Sequence, residues 1–382
     1  MLFDVNQTEF PTPRHRAIWN EGRQVVPLEV SIAELIDPEM REGCTQIYNW
    51  VREYFEKIYQ DPTQFSGETC YGMLELLNMA SKRTTVRDGG LVISSRQYKR
   101  MVKEYPEHMN DLALVGLEIT GDEEKIFTNK KYPLFCKYFK LFNDAAYKKP
   151  ISCYMYILFL DFRVLAPKYK STIDDLLRTL PDNINAYATE MNEYALAKGA
   201  ILEDQKYYGQ YRYVYKNRYV LVMQIQKFER PTPIDIAVPY ETRNQEPEPG
   251  WEEYMEDGKR RVLQCIENLK EIIECQPDRD EIAAYVKKEI ATCENAFGCK
   301  CVAREAVTDV FGVDKYVNTC MRAISKWTGT KDSEEYTDYD IKMLKQLMDV
   351  RISQIDSLEA RDQEKSAPKR YFPPGDLLYK NR

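Results

Sequence analysis

The chain has 382 residues, 43% of them apolar and 30% charged, with a formal net charge of −7. That length allows two to three domains and a core that needs no cross-links. The acidic balance argues against general binding to nucleic acid or a membrane surface and leaves a small molecule or a protein as the partner, although a local basic patch is compatible with it.

The N-terminal stretch MLFDVNQTEFPTPRHR lacks the basic start, apolar run and small-residue cleavage site of a signal peptide. The sequence therefore predicts a cytoplasmic protein with no membrane span, whose ten cysteines stay largely reduced. The first forty residues mix prolines with short apolar groups and read as an arm laid on a domain. In QIYNWVREYFEKIY the apolar residues Ile47, Trp50, Val51, Tyr54, Phe55 and Ile58 recur at three and four, which predicts a helix. GETCYGMLELLNMASK predicts a second helix. Asp88-Gly89-Gly90 is a turn before a strand at LVIS, and LALVGLEI at 112–119 reads as another strand. YPLFCKYFKLFNDAAY reads as a helix with proline near its first turn.

ISCYMYILFL at 151–160 is the most apolar run. Ten residues are too few to span a bilayer as a helix, and the Ile, Tyr and Phe content predicts a buried strand reaching 165. Asp161 and Arg163 follow it and are expected to reach water where the run ends. Ser171 with Asp174 reads as a capping box, and DNINAYATEMNEYALAKG as a helix stopped by Gly199.

The clearest strands are in QYRYVYKNRYVLVMQIQKF at 210–228. Tyr211, Tyr213 and Tyr215 share one face, Arg212 and Lys216 share the other, and Lys216-Asn217-Arg218 sits where a hairpin turn belongs. PIDIAVPY, bracketed by prolines, reads as an edge strand. Residues 241–258 carry seven acidic side chains and one basic, as a solvated linker does. Helical patterns follow, and Thr337 with Asp340 opens the last of them.

This order predicts an α+β protein, with antiparallel hairpins packed on helices and then an all-helical C-terminal subdomain. The expected boundaries are an α+β domain at 1–165, a helix-plus-hairpin domain at 166–240, the linker, a helical cysteine-containing part at 259–360 and a mobile tail at 361–382.

Sequence motifs for phosphate cradles, metalloprotease helices, calcium loops and nucleophile elbows do not occur in the chain. Its two histidines, His15 and His108, lie in polar surroundings and read as surface side chains. Three functional readings remain. The first is a non-catalytic binding or scaffolding protein. The second is an enzyme using carboxylates or a cysteine thiolate. The third is nucleic-acid binding through the tyrosine hairpin and the basic tail: Tyr211, Tyr213 and Tyr215 form a row that can stack bases or a planar ligand, with Arg212, Lys216 and Arg218 to hold phosphates nearby. Against the last reading, tyrosine also suits a strand packed under the helix at 183–198.

Cys293, Cys299, Cys301 and Cys320 fall within 28 residues. Four thiolates meet the count for a structural zinc ion, but five, one and eighteen intervening residues depart from the familiar two to four within each pair. Buried structural thiols are the competing reading, and Cys299 and Cys301, which flank Lys300, are the best placed for reactivity.

Overall fold

The apolar stripe of QIYNWVREYFEKIY lies on helix α3 (Pro38–Gln60), and all six of its residues are buried. The computed structural model describes residues 2–82, 84–148, 153–166, 172–203, 209–225, 234–240, 263, 266–290, 307–316, 323–325 and 336–362. Its contacts divide the chain into two units, Met1–Pro181 with Lys206–Tyr208, and Asp182–Gln205 with Gly209–Arg382. Each combines helices with an antiparallel sheet, so the α+β class is observed.

In the first unit, helices α1 (Pro13–Gly22) and α2 (Leu28–Ser31) precede α3. The Asp37 carboxylate accepts from Met40 N at 2.7 Å and caps α3, with Pro38 in its first turn. Then come α4 (Cys70–Ser81), β1 (Thr85–Arg87), β2 (Gly90–Ser94), α5 (Ser95–Glu104), α6 (Pro106–Asp111), β3 (Glu118–Thr120), β4 (Glu124–Thr128), α7 (Phe135–Tyr147), α8 (Cys153–Leu158) and α9 (Ile173–Leu177). The sheet order is β1-β2-β4-β3, with Leu91 opposite Phe127 on the buried face. Trp50 of α3 meets Phe135 of α7 at 4.9 Å between ring centroids, and its indole N–H donates to Val115 O at 2.7 Å.

Four expectations for this unit are corrected here. Residues 112–119 are not one strand. Leu112–Val115 form a 3-10 turn, Gly116 takes φ +73, and only Glu118–Thr120 pair. An apolar run read by composition does not register the left-handed glycine that breaks it.

The run at 151–160 holds a helix, α8, rather than a strand. Leu160 then turns the chain at φ +50. The turn is tied down by Val26 N donating to Phe159 O at 2.8 Å and by Ser31 Oγ, which donates to Leu160 O at 2.5 Å and accepts from Phe162 N at 2.9 Å. A continuous apolar run has no period and fits a buried helix as well as a strand.

Asp161 and Arg163 do not reach water. They are 0% and 7% exposed. Arg163 donates to both oxygens of Asp161, at 2.7 and 2.9 Å, and to Asp175 Oδ1 at 2.8 Å. The capping box is one residue later than expected. It pairs Thr172 with Asp175, so Asp175 serves the cap and Arg163 together.

The second unit contains α10 (Asp182–Ala197), β5 (Ile201–Leu202), β6 (Gln210–Tyr215), β7 (Arg218–Ile225), β8 (Ile234–Pro239), α11 (266–274), α12 (Arg279–Glu289), β9 (Val307–Asp309), β10 (Asp314–Tyr316), β11 (Ala323–Ser325) and α13 (Asp338–Asp362). Gly199 takes the left-handed conformation, φ +80, just past α10. The five-stranded sheet has the order β11-β8-β7-β6-β5. PIDIAVPY is therefore an interior strand, because β11 arrives from far along the chain and pairs Ala323 with Pro239 and Ser325 with Ala237. The C-terminal stretch has the expected helices α11 to α13 but is not all-helical, because it also holds three short strands, β9 to β11. Through β11 it belongs to the same sheet as the tyrosine hairpin. Among the described residues, no helix is long and apolar enough to cross a membrane.

Candidate functional site

The hairpin turns at Lys216 (φ +46) and Asn217 (φ +63), as the sequence predicts. Its tyrosine face is core. Tyr211 and Tyr213 are fully buried and lie opposite Met223 and Leu221, and Ile236 continues the row on β8. The Tyr213 hydroxyl donates to Asn192 Oδ1 of α10 at 2.6 Å, and burial pushes its pKa up. Tyr215 is half-buried at the turn. The rings of Tyr211 and Tyr213 therefore have no open face on which a base could stack, and the competing reading, tyrosine packed under a helix, describes them.

The other face of the same strands is polar and half-exposed. The Arg212 guanidinium lies over the Tyr219 ring, 5.4 Å from its centroid. It donates to Gln210 Oε1 at 3.0 and 2.5 Å, and Gln210 Nε2 donates to Gln224 Oε1 at 3.0 Å. Tyr219 Oη donates to Glu203 Oε2 at 2.8 Å. The register places Gln210, Gln224 and Asp235 side by side across three strands. The sequence singled out Arg212, two residues along β6 and opposite Val222, but none of these three. Gln210 and Gln224 become visible once the pairing is known, since alternation gives a face but not a neighbour. Amide and guanidinium groups in such a row can exchange their mutual bonds for those of a ligand at little net change.

A second group in this unit is buried. Thr337 N and Oγ1 donate to Asp340 Oδ2 at 2.8 and 2.7 Å, and Asp340 N donates to Thr337 Oγ1 at 3.3 Å, which is the box expected at the start of α13. Ile236 N donates to the Tyr336 hydroxyl at 2.8 Å. Burial raises the Tyr336 pKa far above its ordinary value, and the nearby carboxylates of Asp235, Asp340 and Glu289, all themselves buried, raise it further. Among the described residues, no three ligating side chains are arranged to hold a metal ion.

In the first unit His108 is not a surface side chain. It is 8% exposed, pressed against Gly67 and Gly72, and its Nδ1 is buried without a hydrogen bond. Its burial there needs two glycines from another segment, which its own polar neighbours do not announce. Desolvation lowers its pKa, although the Asp111 and Glu107 carboxylates work the other way. Asp111 accepts from Ser66 N at 2.9 Å and Gly67 N at 2.8 Å. Glu21 accepts from Cys70 N at 2.8 Å and Tyr71 N at 3.2 Å, holding the first turn of α4. Burial pushes the thiols of Cys44 and Cys136 up to about 12, and that of Cys70 well above the usual range.

Cys293, Cys299, Cys301 and Cys320 lie outside the described residues. Two pairings on their flanks are described. Ile290 bridges to Ile324, and Val307 pairs with Tyr316. The chain positions shortly before Cys293 and shortly after Cys320 are thus neighbours. So are positions shortly after Cys301 and shortly before Cys320. No protein-family model matches the chain, and neither curated proteins nor solved structures yield a match.

Proposed function

We propose that the protein is a non-catalytic binding protein that recognises a protein or a small molecule through the polar sheet face around Arg212. The observation that carries this reading is the commitment of several reactive groups among the described residues to the fold. His108 is buried with its pKa lowered, and the thiols of Cys44, Cys70 and Cys136 are held protonated. The buried carboxylates Glu21, Asp111, Asp161 and Asp175 accept backbone N–H groups or a guanidinium. A general base or nucleophile needs access to its substrate, and these groups are buried in the fold.

A zinc ion held by Cys293, Cys299, Cys301 and Cys320 belongs to the same proposal, as a structural staple. Its support is the pairing of Ile290 with Ile324 and of Val307 with Tyr316, which limits how far these thiols can separate. Native-state alkylation of protein purified without chelator, followed by peptide mapping, tests both parts. The exposed Cys275 should react at once. Cys44, Cys70 and Cys136 should react only on unfolding, and the four clustered cysteines only once a chelator is added. Rapid labelling of Cys70 would sink the sealed-thiol reading, and labelling of the cluster without chelator would sink the zinc.

A further inference from the structure

Helix α5 carries Arg96, Lys99, Arg100 and Lys103 at i, i+3, i+4 and i+7. That spacing aligns four cations along one face. All four are exposed. The opposite side turns inward, with Met101 fully buried and Gln97 and Tyr98 half-buried. Gln97 anchors that side by donating to Lys82 O at 2.8 Å. Arg100 is paired with Glu104, Nε to Oε1 at 2.7 Å, whereas Arg96, Lys99 and Lys103 have no ion-pair partner among the described residues. Over residues 82–104 the chain has seven basic side chains against Asp88 and Glu104, a net of +5 in a protein of −7. The whole-chain charge therefore hides a local excess of the opposite sign.

We propose that this stripe is a docking surface for the phosphodiester backbone of a nucleic acid. The cations occupy three levels about 5.4 Å apart along the helix axis. Duplex phosphates recur about every 3.4 Å of axis on each strand, so the roughly 11 Å length of the stripe spans about three phosphate steps, within reach of the flexible side chains. A membrane is the poorer fit, because the apolar side of α5 is packed into the protein and cannot sink into lipid. Acidic groups bound the stripe. Asp122, Glu123 and Glu124 flank its start, where Ser95 Oγ donates to Glu123 O at 2.6 Å, and Glu107 follows its end. The footprint is short, so binding is weak and indifferent to base sequence. This inference concerns a different surface from the polar sheet face and does not depend on that reading.

The test uses the full chain and a fluorescently labelled, mixed-sequence DNA duplex, with anisotropy followed from about 50 to about 200 mM salt. Three released counterions give a slope of log K against log salt of about −3. The variant Arg96→Glu/Lys99→Glu/Lys103→Glu should bind at least about tenfold more weakly, with the slope reduced toward zero. The milder Arg96→Gln/Lys99→Gln/Lys103→Gln should fall between the two and guards against a folding defect, which circular dichroism would also reveal. No duplex binding at the lowest salt, or unchanged binding by the charge-reversed variant, overturns the proposal. Stripe-dependent binding to phosphatidylserine vesicles without duplex binding overturns it in favour of a lipid surface.

Discussion

Replacing Arg163 with methionine is expected to destabilise the protein by about 3–5 kcal/mol, read as a shift in denaturant midpoint at unchanged slope. The substitution keeps the volume and removes the charge. It leaves the Asp161 carboxylate, at 0% exposure, without the guanidinium that donates to both its oxygens at 2.7 and 2.9 Å, while Asp175, at 4%, loses the same group at 2.8 Å but keeps the Thr172 N–H and Arg178 at 3.5 Å. The cost comes from uncompensated buried charge and not from the worth of the bond, since a buried pair replaced entirely by apolar groups is often neutral. The double variant Asp161→Asn/Arg163→Met should therefore recover more than about 1 kcal/mol of the loss. A single-variant cost below about 1 kcal/mol would mean that this trio is solvated, contrary to its burial.

The second large effect is at the contact between His108 and Gly72. A Cβ built at Gly72 would overlap the imidazole at Nε2, Cε1 and Cδ2, so Gly72→Ala should cost about 1–3 kcal/mol. In a His108→Ala background the obstruction is gone. The same substitution should then be neutral or stabilise by up to about 1 kcal/mol, because alanine outranks glycine inside a helix such as α4. The reversal of sign separates a packing clash from a general intolerance of the site.

His108 also sets a pH dependence. Its folded pKa is lowered below 6.5, chiefly by desolvation, so the unfolded chain takes up its proton first as the pH falls. The stability it supports is complete above pH 6.5 and is lost as the pH descends through the folded value. The Arg14 guanidinium, the phenols of Tyr54 and Tyr105, the Cys70 thiol and the carboxylates of Glu21, Asp111 and Glu107 are charged and titratable groups around this loop. Stability profiles of the wild type and His108→Ala should diverge from neutral pH toward lower values, and parallel profiles would contradict this assignment.

Local signals in the sequence were sufficient where neighbours along the chain decide the outcome. The stripe of α3, the left-handed pair Lys216-Asn217, the stop at Gly199 and the Thr337–Asp340 box each involve residues within one or two turns of each other. What could not be read depended on partners far away. Arg163 is buried because Asp175 arrives from α9, His108 because Gly67 and Gly72 leave it room, and β8 is interior because β11 returns more than eighty residues later. The hairpin shows both cases. Alternation separated Tyr211 and Tyr213 from Arg212 correctly, but only the bond from Tyr213 to Asn192 shows that the aromatic face is the covered one. That left the face with Gln210 and Gln224 as the half-exposed one.

The central claim is that this protein binds and does not catalyse. The most direct test is a turnover screen of the purified full chain against hydrolase and transferase substrates, run beside Asp235→Asn and Glu289→Gln, which alter the buried carboxylates near Tyr336. The account predicts no turnover above buffer for any of the three proteins. Turnover by the wild type that either substitution abolishes, with the fold intact, would contradict it.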